Sequence, residues 1–131
     1  MLNSFEGRVW FVRTITIVFI VLISALTLLC KRGAPRPVTP VTHNGVVYSA
    51  PNDNGKIAAV VASDAKTGRR LWQVTIFETK IDPKLEEDVQ WVFFTDMRLS
   101  GNSLLIKDEH SRCWRLELPT RKVSRPFMGC W

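Results

Sequence analysis

The sequence contains few of the residues from which most catalytic and metal sites are built. It has two histidines, His43 and His110, and three cysteines that form no Cys-x-x-Cys pair. It has neither a glycine-rich phosphate-binding loop nor a Ser-His-Asp arrangement. Long runs of like charge are absent, which argues against nucleic acid as a partner. We therefore expect no catalytic residue, no metal, no cofactor and no small-molecule substrate.

Acidic residues are also fewer than basic residues. The formal net charge is +6 at pH 7, and the sequence pI is about 9.7. This balance favours anionic partners in general, such as lipid headgroups or acidic protein surfaces. A solvated basic surface explains the same balance without any specific anion site, and it is the more common case.

Two short polar segments resemble sites but have simpler interpretations. Asp108, Glu109 and His110 follow one another in a predicted turn, where adjacent side chains point in different directions. We expect a solvated turn there. Residues 86–88 are acidic and precede an apolar strand, so we expect a charged loop that protects that strand from aggregation.

One long hydrophobic run occurs, near the start of the chain. Residues 14–30 carry no charge, proline or glycine, and they lie between Arg13 and the pair Lys31 and Arg32. A helix over them would be about 25 Å long at roughly 1.5 Å per residue, which is the short end for a membrane span. Trp10 extends the apolar reach, and the flanking cations can extend towards the headgroups. We expect a transmembrane helix over 14–30, after an N-terminal flank over 1–13.

Other interpretations of this segment remain open. A cleaved signal peptide would need a small-x-small site, and the nearest alanine, Ala25, lies inside the apolar run. Cys30 is either a plain apolar residue or an acylation site. Positive charges are almost equal on the two sides of the helix, so the positive-inside rule does not decide the topology.

A proline-rich linker and a β domain are predicted after the helix. Residues 31–44 contain Pro35, Pro37 and Pro40, a spacing typical of an extended spacer. Over residues 45–125, apolar runs alternate with turn signals and predict about six strands in an antiparallel meander or sandwich. These runs are 45–50, 56–63, 70–77, 89–99, 104–107 and 112–118. One helical turn is expected over 83–88. The expected fold class is therefore mainly β, with a single N-terminal transmembrane helix.

Within the third run, polar residues separate three apolar side chains. Trp72, Val74 and Ile76 alternate with Gln73 and Thr75. Successive side chains of a strand point to opposite faces of the sheet. We therefore expect the three apolar side chains to face the core.

A weak internal repeat suggests that the β domain contains two related units. A shift of 53 positions pairs similar residues at the end of two predicted strands. The pairs are Asp64 with Glu117, Thr67 with Thr120, and Arg69 with Lys122.

The first of these turns resembles a known repeat. Residues 60–72 read VVASDAKTGRRLW and are similar to the quinoprotein-type β-propeller repeat, in which Asp-x-x-Thr-Gly forms a turn before a strand with tryptophan. Asp64 suits the turn through its side chain, and Gly68 through a positive φ. Nearly all of residues 45–125 resemble small, uncharacterised bacterial proteins that carry such a repeat. The resemblance implies no activity, and a closed propeller needs about four to eight blades, so it implies neither a quinone nor a calcium site.

The cysteines and the end of the chain give the remaining predictions. Cys113 and Cys130 either form a disulfide that closes a loop of 18 residues, counting both cysteines, or remain two separate thiols. A bridge would place the domain in an oxidising compartment, which favours the periplasm. Residues 126–131 form an aromatic tail surrounded by basic residues. Its candidate partner contacts are Phe127, Met128, Trp131, Arg121 and Arg125.

We expect a non-catalytic accessory or structural subunit of a larger bacterial membrane complex, of a respiratory, photosynthetic or transport type. It would stabilise its neighbours through its helix and its tail. The alternative is a free-standing, membrane-tethered module that binds an envelope ligand or protein. The expected partners are the lipid bilayer and other integral membrane proteins. The expected location is the bacterial inner membrane, with the β domain on the periplasmic side.

Overall fold

The computed structural model describes residues 32–33 and 35–131. The N-terminal flank over 1–13, the predicted transmembrane helix over 14–30 and the interface residues Trp10, Arg13 and Lys31 lie outside this part of the chain. Arg32 lies within it and is half-buried. The part of the chain that is described contains no helix of the length and apolar character that a membrane crossing needs.

Residues 35–131 form two four-stranded antiparallel sheets, each a simple meander in chain order. The first sheet contains β1 (Val41–His43), β2 (Val46–Ser49), β3 (Ile57–Asp64) and β4 (Arg70–Glu78). The second contains β5 (Phe94–Ser100), β6 (Ser103–Asp108), β7 (Arg112–Glu117) and β8 (Phe127–Met128). The mainly β fold and the antiparallel arrangement are as predicted from the sequence.

The strand count differs from the prediction of about six, because two short edge strands add to it. β1 lies inside the segment predicted as a linker, and β8 lies inside the aromatic tail. An extended proline-rich segment already has nearly β-like dihedral angles, so β1 can pair with β2 at little further cost. The helical turn is a short 3₁₀ segment at Asp88–Gln90, later than the expected position.

The turn between β1 and β2 fixes the register of the first hairpin. Asn44 and Gly45 both have positive φ values, 49° and 74°. Two successive residues of this kind form the turn whose twist matches that of paired strands. His43 therefore lies opposite Val46.

The two sheets share one apolar core. Val60 and Ala62 of β3 are fully buried, as are Leu104 and Ile106 of β6. Ile76 is buried in the same cluster, and Trp72 and Val74 are half-buried against it. The inward orientation predicted for these three β4 residues is confirmed. Trp72 also contacts Tyr48, with ring centroids 5.7 Å apart.

A polar contact connects the first sheet to the start of β5. The side chain of Asn52 donates from Nδ2 to the carbonyl of Phe94 at 2.9 Å. Its Oδ1 accepts from the amide of Phe94 at 3.1 Å. The amide side chain therefore satisfies both backbone groups of a residue at the sheet junction, where an unpaired group would be costly.

The β4 edge is interrupted near both ends. The β3–β4 register shifts between Ala58 and Ala59 and again between Ala62 and Ser63. Each shift leaves one extra residue on β4, Ile76 and Leu71 respectively. Bulges of this kind bend an edge strand and hinder its pairing with another chain.

The internal repeat corresponds to two turns that share part of their hydrogen-bond pattern. In the first, the Thr67 hydroxyl donates to Asp64 at 3.1 Å, and the Asp64 amide donates to the carbonyl of Arg69 at 2.8 Å. In the second, the Thr120 hydroxyl donates to Glu117 at 2.8 Å.

A backbone bond and a backbone conformation of the second turn also match the first. The Glu117 amide donates to the Lys122 carbonyl at 2.9 Å. Gly68 has a φ of 70°, and Arg121 occupies the equivalent left-handed position with a φ of 58°. The three residue pairs found in the sequence therefore occupy the same places in the two turns.

The first turn generates a prediction about pH. The Thr67 amide, then the Thr67 hydroxyl and then the Lys66 amide lower the pKa of the Asp64 carboxyl, since all three donate to it. A carboxyl whose pKa is lower in the folded state stabilises the fold above its unfolded-state pKa. That contribution is lost as the pH falls through the folded-state pKa.

Thr67→Val should raise the pKa of Asp64, measured by NMR titration of its carboxyl. Thr120→Val, which breaks the equivalent contact to Glu117, should leave the Asp64 pKa unchanged, and an equal effect of both variants would contradict this explanation.

The packing at Gly55 generates a second prediction. A Cβ at this buried position would collide with the backbone and side chain of Trp91. The Gly55 carbonyl also accepts from the amide of Val92 at 3.0 Å, so the loop cannot move away without losing that bond. Gly55→Ala should lower the free energy of unfolding by about 1–3 kcal/mol, as overpacking does. Urea denaturation measures it, and Gly33→Ala is the control because nothing lies near a Cβ there. Equal stability of the two variants would show that Trp91 can move to accommodate a Cβ at position 55 without cost.

Candidate functional site

A disulfide attaches the C-terminal tail to the second sheet. Cys113 of β7 is bonded to Cys130, and their Cα atoms are 5.9 Å apart. β8 pairs with β7, with Cys113 opposite Phe127 and Arg112 opposite Met128. The tail is thus held by both a covalent bond and a short strand pairing.

Phe127 and the end of the tail lie on the face of the second sheet that points away from the core, whereas Met128, which pairs with Arg112 on the edge strand β8, points to the other face. Cys113 alternates with Trp114 and Leu116, which face the core, so its side chain is on the opposite face. Cys113 is nevertheless fully buried. The guanidinium carbon of Arg98 lies 4.5 Å from the centroid of the Trp131 ring, and the Lys107 amine lies 6.0 Å from it. The tail therefore reaches back over β5 and β6.

Three apolar side chains of the tail remain accessible to solvent. The exposed fraction is 37% for Phe127, 67% for Met128 and 37% for Trp131. We call these three residues the tail patch. Two cations, Arg98 and Lys107, stack on the Trp131 ring, an arrangement that stabilises both the ring and the charges.

The predicted basic contacts are not all at the tail patch. Arg125 is exposed in the segment that leads to β8. Arg121 instead lies over Trp72 of the first sheet, with its guanidinium carbon 5.4 Å from that ring. Arg98 and Lys107 were not predicted from the sequence. Their contact with Trp131 depends on the path of the tail, so no pattern of neighbouring residues indicates it.

Asp108 is buried, contrary to the solvated turn predicted from the sequence. Its exposed fraction is 1%. Its Oδ1 accepts from the amides of His110 at 2.9 Å and Arg112 at 3.0 Å. Its Oδ2 accepts from Arg112 Nε at 2.7 Å and from Trp114 Nε1 at 3.4 Å. Burial of the carboxylate is tolerated because a cation and several N–H donors surround it.

The sequence contained a signal for this orientation. Leu104 and Ile106 face the core, and residue 108 follows in the same period of two. An acidic residue at such a position needs a partner, and Arg112 follows it at the start of the next strand. The polar neighbours of Asp108 obscured this pattern.

The Arg112 guanidinium is held between Asp108 and two aromatic rings. Phe77 of β4 stacks on Trp114 of β7, with ring centroids 4.9 Å apart and an interplanar angle of 22°. The guanidinium carbon lies 5.4 Å from the Phe77 ring and 5.7 Å from the Trp114 ring. A carboxylate on one side and aromatic faces on the other orient the planar cation.

The two histidines do not form a joint site. His43 is next to Asn44, whose side chain lies 3.0 Å from the His43 ring. His110 belongs to the turn after Asp108. Among residues 32–33 and 35–131, no group of three or more His, Cys, Asp or Glu side chains is placed to hold a metal ion.

No model of a protein family matches the sequence, and no curated protein matches it at a significant level. The inference about function therefore depends on the residues and contacts described above.

The Asp108 cluster generates a stability prediction. Asp108→Ala removes the acceptor of several buried donors and leaves Arg112 without its carboxylate. Loss of one partner of a buried pair costs about 3–5 kcal/mol, and we expect the lower end because the Arg112 side chain is 38% exposed and can be hydrated.

The control for this prediction is Asp96→Ala. Asp96 pairs with Arg98 at 3.1 Å, but both side chains are exposed to solvent, and such pairs contribute about 1 kcal/mol or less. Both variants are compared with the unchanged chain by urea denaturation. A loss for Asp108→Ala no larger than that for Asp96→Ala would contradict the role given to the buried carboxylate.

Proposed function

We propose that this chain is a non-catalytic, membrane-anchored accessory subunit that docks on a larger bacterial membrane protein through the tail patch. One observation carries the proposal. The disulfide between Cys113 and Cys130 holds a short aromatic tail against the second sheet, and its apolar side chains remain exposed. A tail of this kind contributes little to the core, so its exposed groups are available for a contact with another protein.

The composition of the tail patch suits a protein interface. Tryptophan is among the residues that most often dominate binding energy, and methionine adapts its shape to irregular surfaces. Because the tail is already bonded at Cys130, it loses less conformational freedom on docking than a free peptide would.

The positive charge beside Trp131 favours a partner surface that carries acidic residues. Arg98 and Lys107 stack on Trp131, and the chain as a whole carries a net charge of +6. The complementary surface is an apolar patch bordered by acidic residues, since opposite potentials speed association and exclude wrong partners. The partner in this proposal is an integral membrane protein with such a surface.

The proposed location follows from the sequence together with the disulfide. Residues 14–30 anchor the chain in the inner membrane in this proposal. Structural disulfides persist in oxidising compartments, so the β domain and its partner surface are assigned to the periplasmic side. Thiol alkylation tests whether the β domain lies on the periplasmic side. A bridged pair there does not react with a membrane-impermeant reagent until the disulfide is reduced.

The main experiment compares the full chain with a form that lacks residues 126–131. Each form is expressed in its native host, extracted in mild detergent and analysed by mass spectrometry for co-purifying membrane proteins. We expect the deletion to reduce partner recovery by about tenfold or more, as expected when a dominant contact is lost. The amount of the chain in the membrane should not change, because residues 14–30 are intact.

Two further variants separate the tail patch from the disulfide. Met128→Ala combined with Trp131→Ala removes two exposed groups and keeps both cysteines, and it should weaken recovery like the deletion. Leu85→Ala is the matched control, since Leu85 is 59% exposed in a loop outside the tail. If the tail variants recover the partner as well as Leu85→Ala does, the tail patch is not the docking element. If the unchanged chain purifies as a lone monomer, a free-standing binding module replaces the accessory subunit.

A further inference from the structure

A cavity of about 240 Å³ lies at the end of β4, beside the turn between β6 and β7. No residue of the tail patch lines it. The residues that line it include both apolar rings and charged groups, and the argument uses Phe77, Glu78, Lys80, His110, Arg112 and Trp114. Residues from both sheets thus meet around one small space.

Two aromatic side chains form the apolar side of the cavity. Phe77 and Trp114 both line it and stack on each other, and we call this pair the aromatic wall. Phe77 is fixed from a further direction by Phe94, whose ring meets it edge-on at 5.6 Å. A planar apolar group in the cavity would find rings that are already in place and would not need to reorganise them.

The polar side of the cavity is provided first by Arg112. Its Nε donates to the buried Asp108 carboxylate, which fixes the guanidinium without occupying all of its donors. The two terminal amino groups of Arg112 donate to no acceptor in the described part of the chain. An arginine held in this way presents a planar pair of N–H donors, whose geometry matches a carboxylate.

The other charged residues narrow the class of anion. Lys80 and His110 add nitrogen atoms to the same cavity, whereas Glu78 adds one carboxylate. With the buried Asp108 counted, Glu78 and Asp108 balance the charges of Arg112 and Lys80, so a second negative charge on the ligand gains little further attraction. A singly charged carboxylate therefore fits this wall better than a phosphate dianion.

We propose that the cavity binds a small carboxylate that carries a flat apolar body, with the carboxylate on Arg112 and Lys80 and the body on Phe77 and Trp114. The volume is below the roughly 300–1,000 Å³ of sites for drug-sized ligands, so the ligand is about the size of a single ring with its carboxylate. The same chemistry occurs in a free aromatic acid and in the C-terminal phenylalanine of a peptide. This site goes beyond the docking function and does not depend on it.

The first experiment titrates the full chain in detergent with benzoate and, separately, with benzamide. The two have nearly the same shape, and only benzoate is charged. The indole N–H resonance of Trp114 is followed by NMR. We expect saturable binding of benzoate and binding of benzamide that is weaker by about tenfold or more, since the charge-assisted bonds are lost. Equal affinity for both compounds, no change in the resonance with either, or equally strong binding of inorganic phosphate would overturn the proposal.

Variants test the residues named. Lys80→Gln changes an exposed side chain and should weaken benzoate binding several-fold without affecting the melting temperature. Arg112→Lys keeps the charge but loses the planar donor pair, and binding should weaken by about tenfold. Lys84→Gln is the control, an exposed lysine outside the cavity that should bind benzoate like the unchanged chain. If Arg112→Lys alters folding, Lys80→Gln alone decides, and unchanged benzoate binding in that variant would refute the site.

A last comparison distinguishes the two sources of the carboxylate. Acetyl-Gly-Phe with a free C-terminus is titrated beside its C-terminal amide. Tighter binding of the free dipeptide than of benzoate supports the site as one for a peptide C-terminus. Tighter binding of benzoate supports it as one for a free aromatic acid. Equal binding of the dipeptide and its amide contradicts the role of the carboxylate.

Discussion

Burial of one apolar face of each sheet against the other is the interaction on which the rest of the structure depends. Four short strands with one apolar face do not make a stable unit in water until that face is covered. Small residues of the first sheet, such as Ala58 and Ala62, share this core with the larger Phe94 and Leu104 of the second. Because the sheets are held in this relation, residues from β4 and β7 meet at their junction. The aromatic wall and Arg112 exist only as a result of that packing.

Asp108 connects this core to the surface. Its carboxylate is buried, yet one of its oxygens accepts from the amides of His110 in the hairpin turn and of Arg112 at the start of β7. One buried charge therefore orders the turn, orients Arg112 and fixes the Trp114 indole. An apolar residue at position 108 would avoid the burial of a charge but would leave those donors without their acceptor. Such an arrangement favours a defined geometry over maximal stability.

Much of the fold could be predicted from the sequence, because local signals and the final structure agree. Alternation in β4 and the turn chemistry of Asp64 to Gly68 depend on near neighbours in the chain. The missed features depend on distant ones. β1 and β8 are too short to show a period, and the contact of Arg98 with Trp131 requires the tail to fold back. Asp108 was misjudged because its polar neighbours concealed its place in the β6 alternation. The cavity combines residues from both sheets, so no single stretch of sequence indicates it.

The disulfide also determines how the domain would respond to a mechanical load. A force applied at Trp131 by a bound protein would otherwise be resisted by β8 alone, which pairs with β7 at only two positions. A pairing of this length peels apart one residue at a time. The Cys113–Cys130 bond instead transmits the force directly into β7, which pairs with β6 at five positions. The tail can thus carry tension between the domain and its surroundings without being stripped from the sheet.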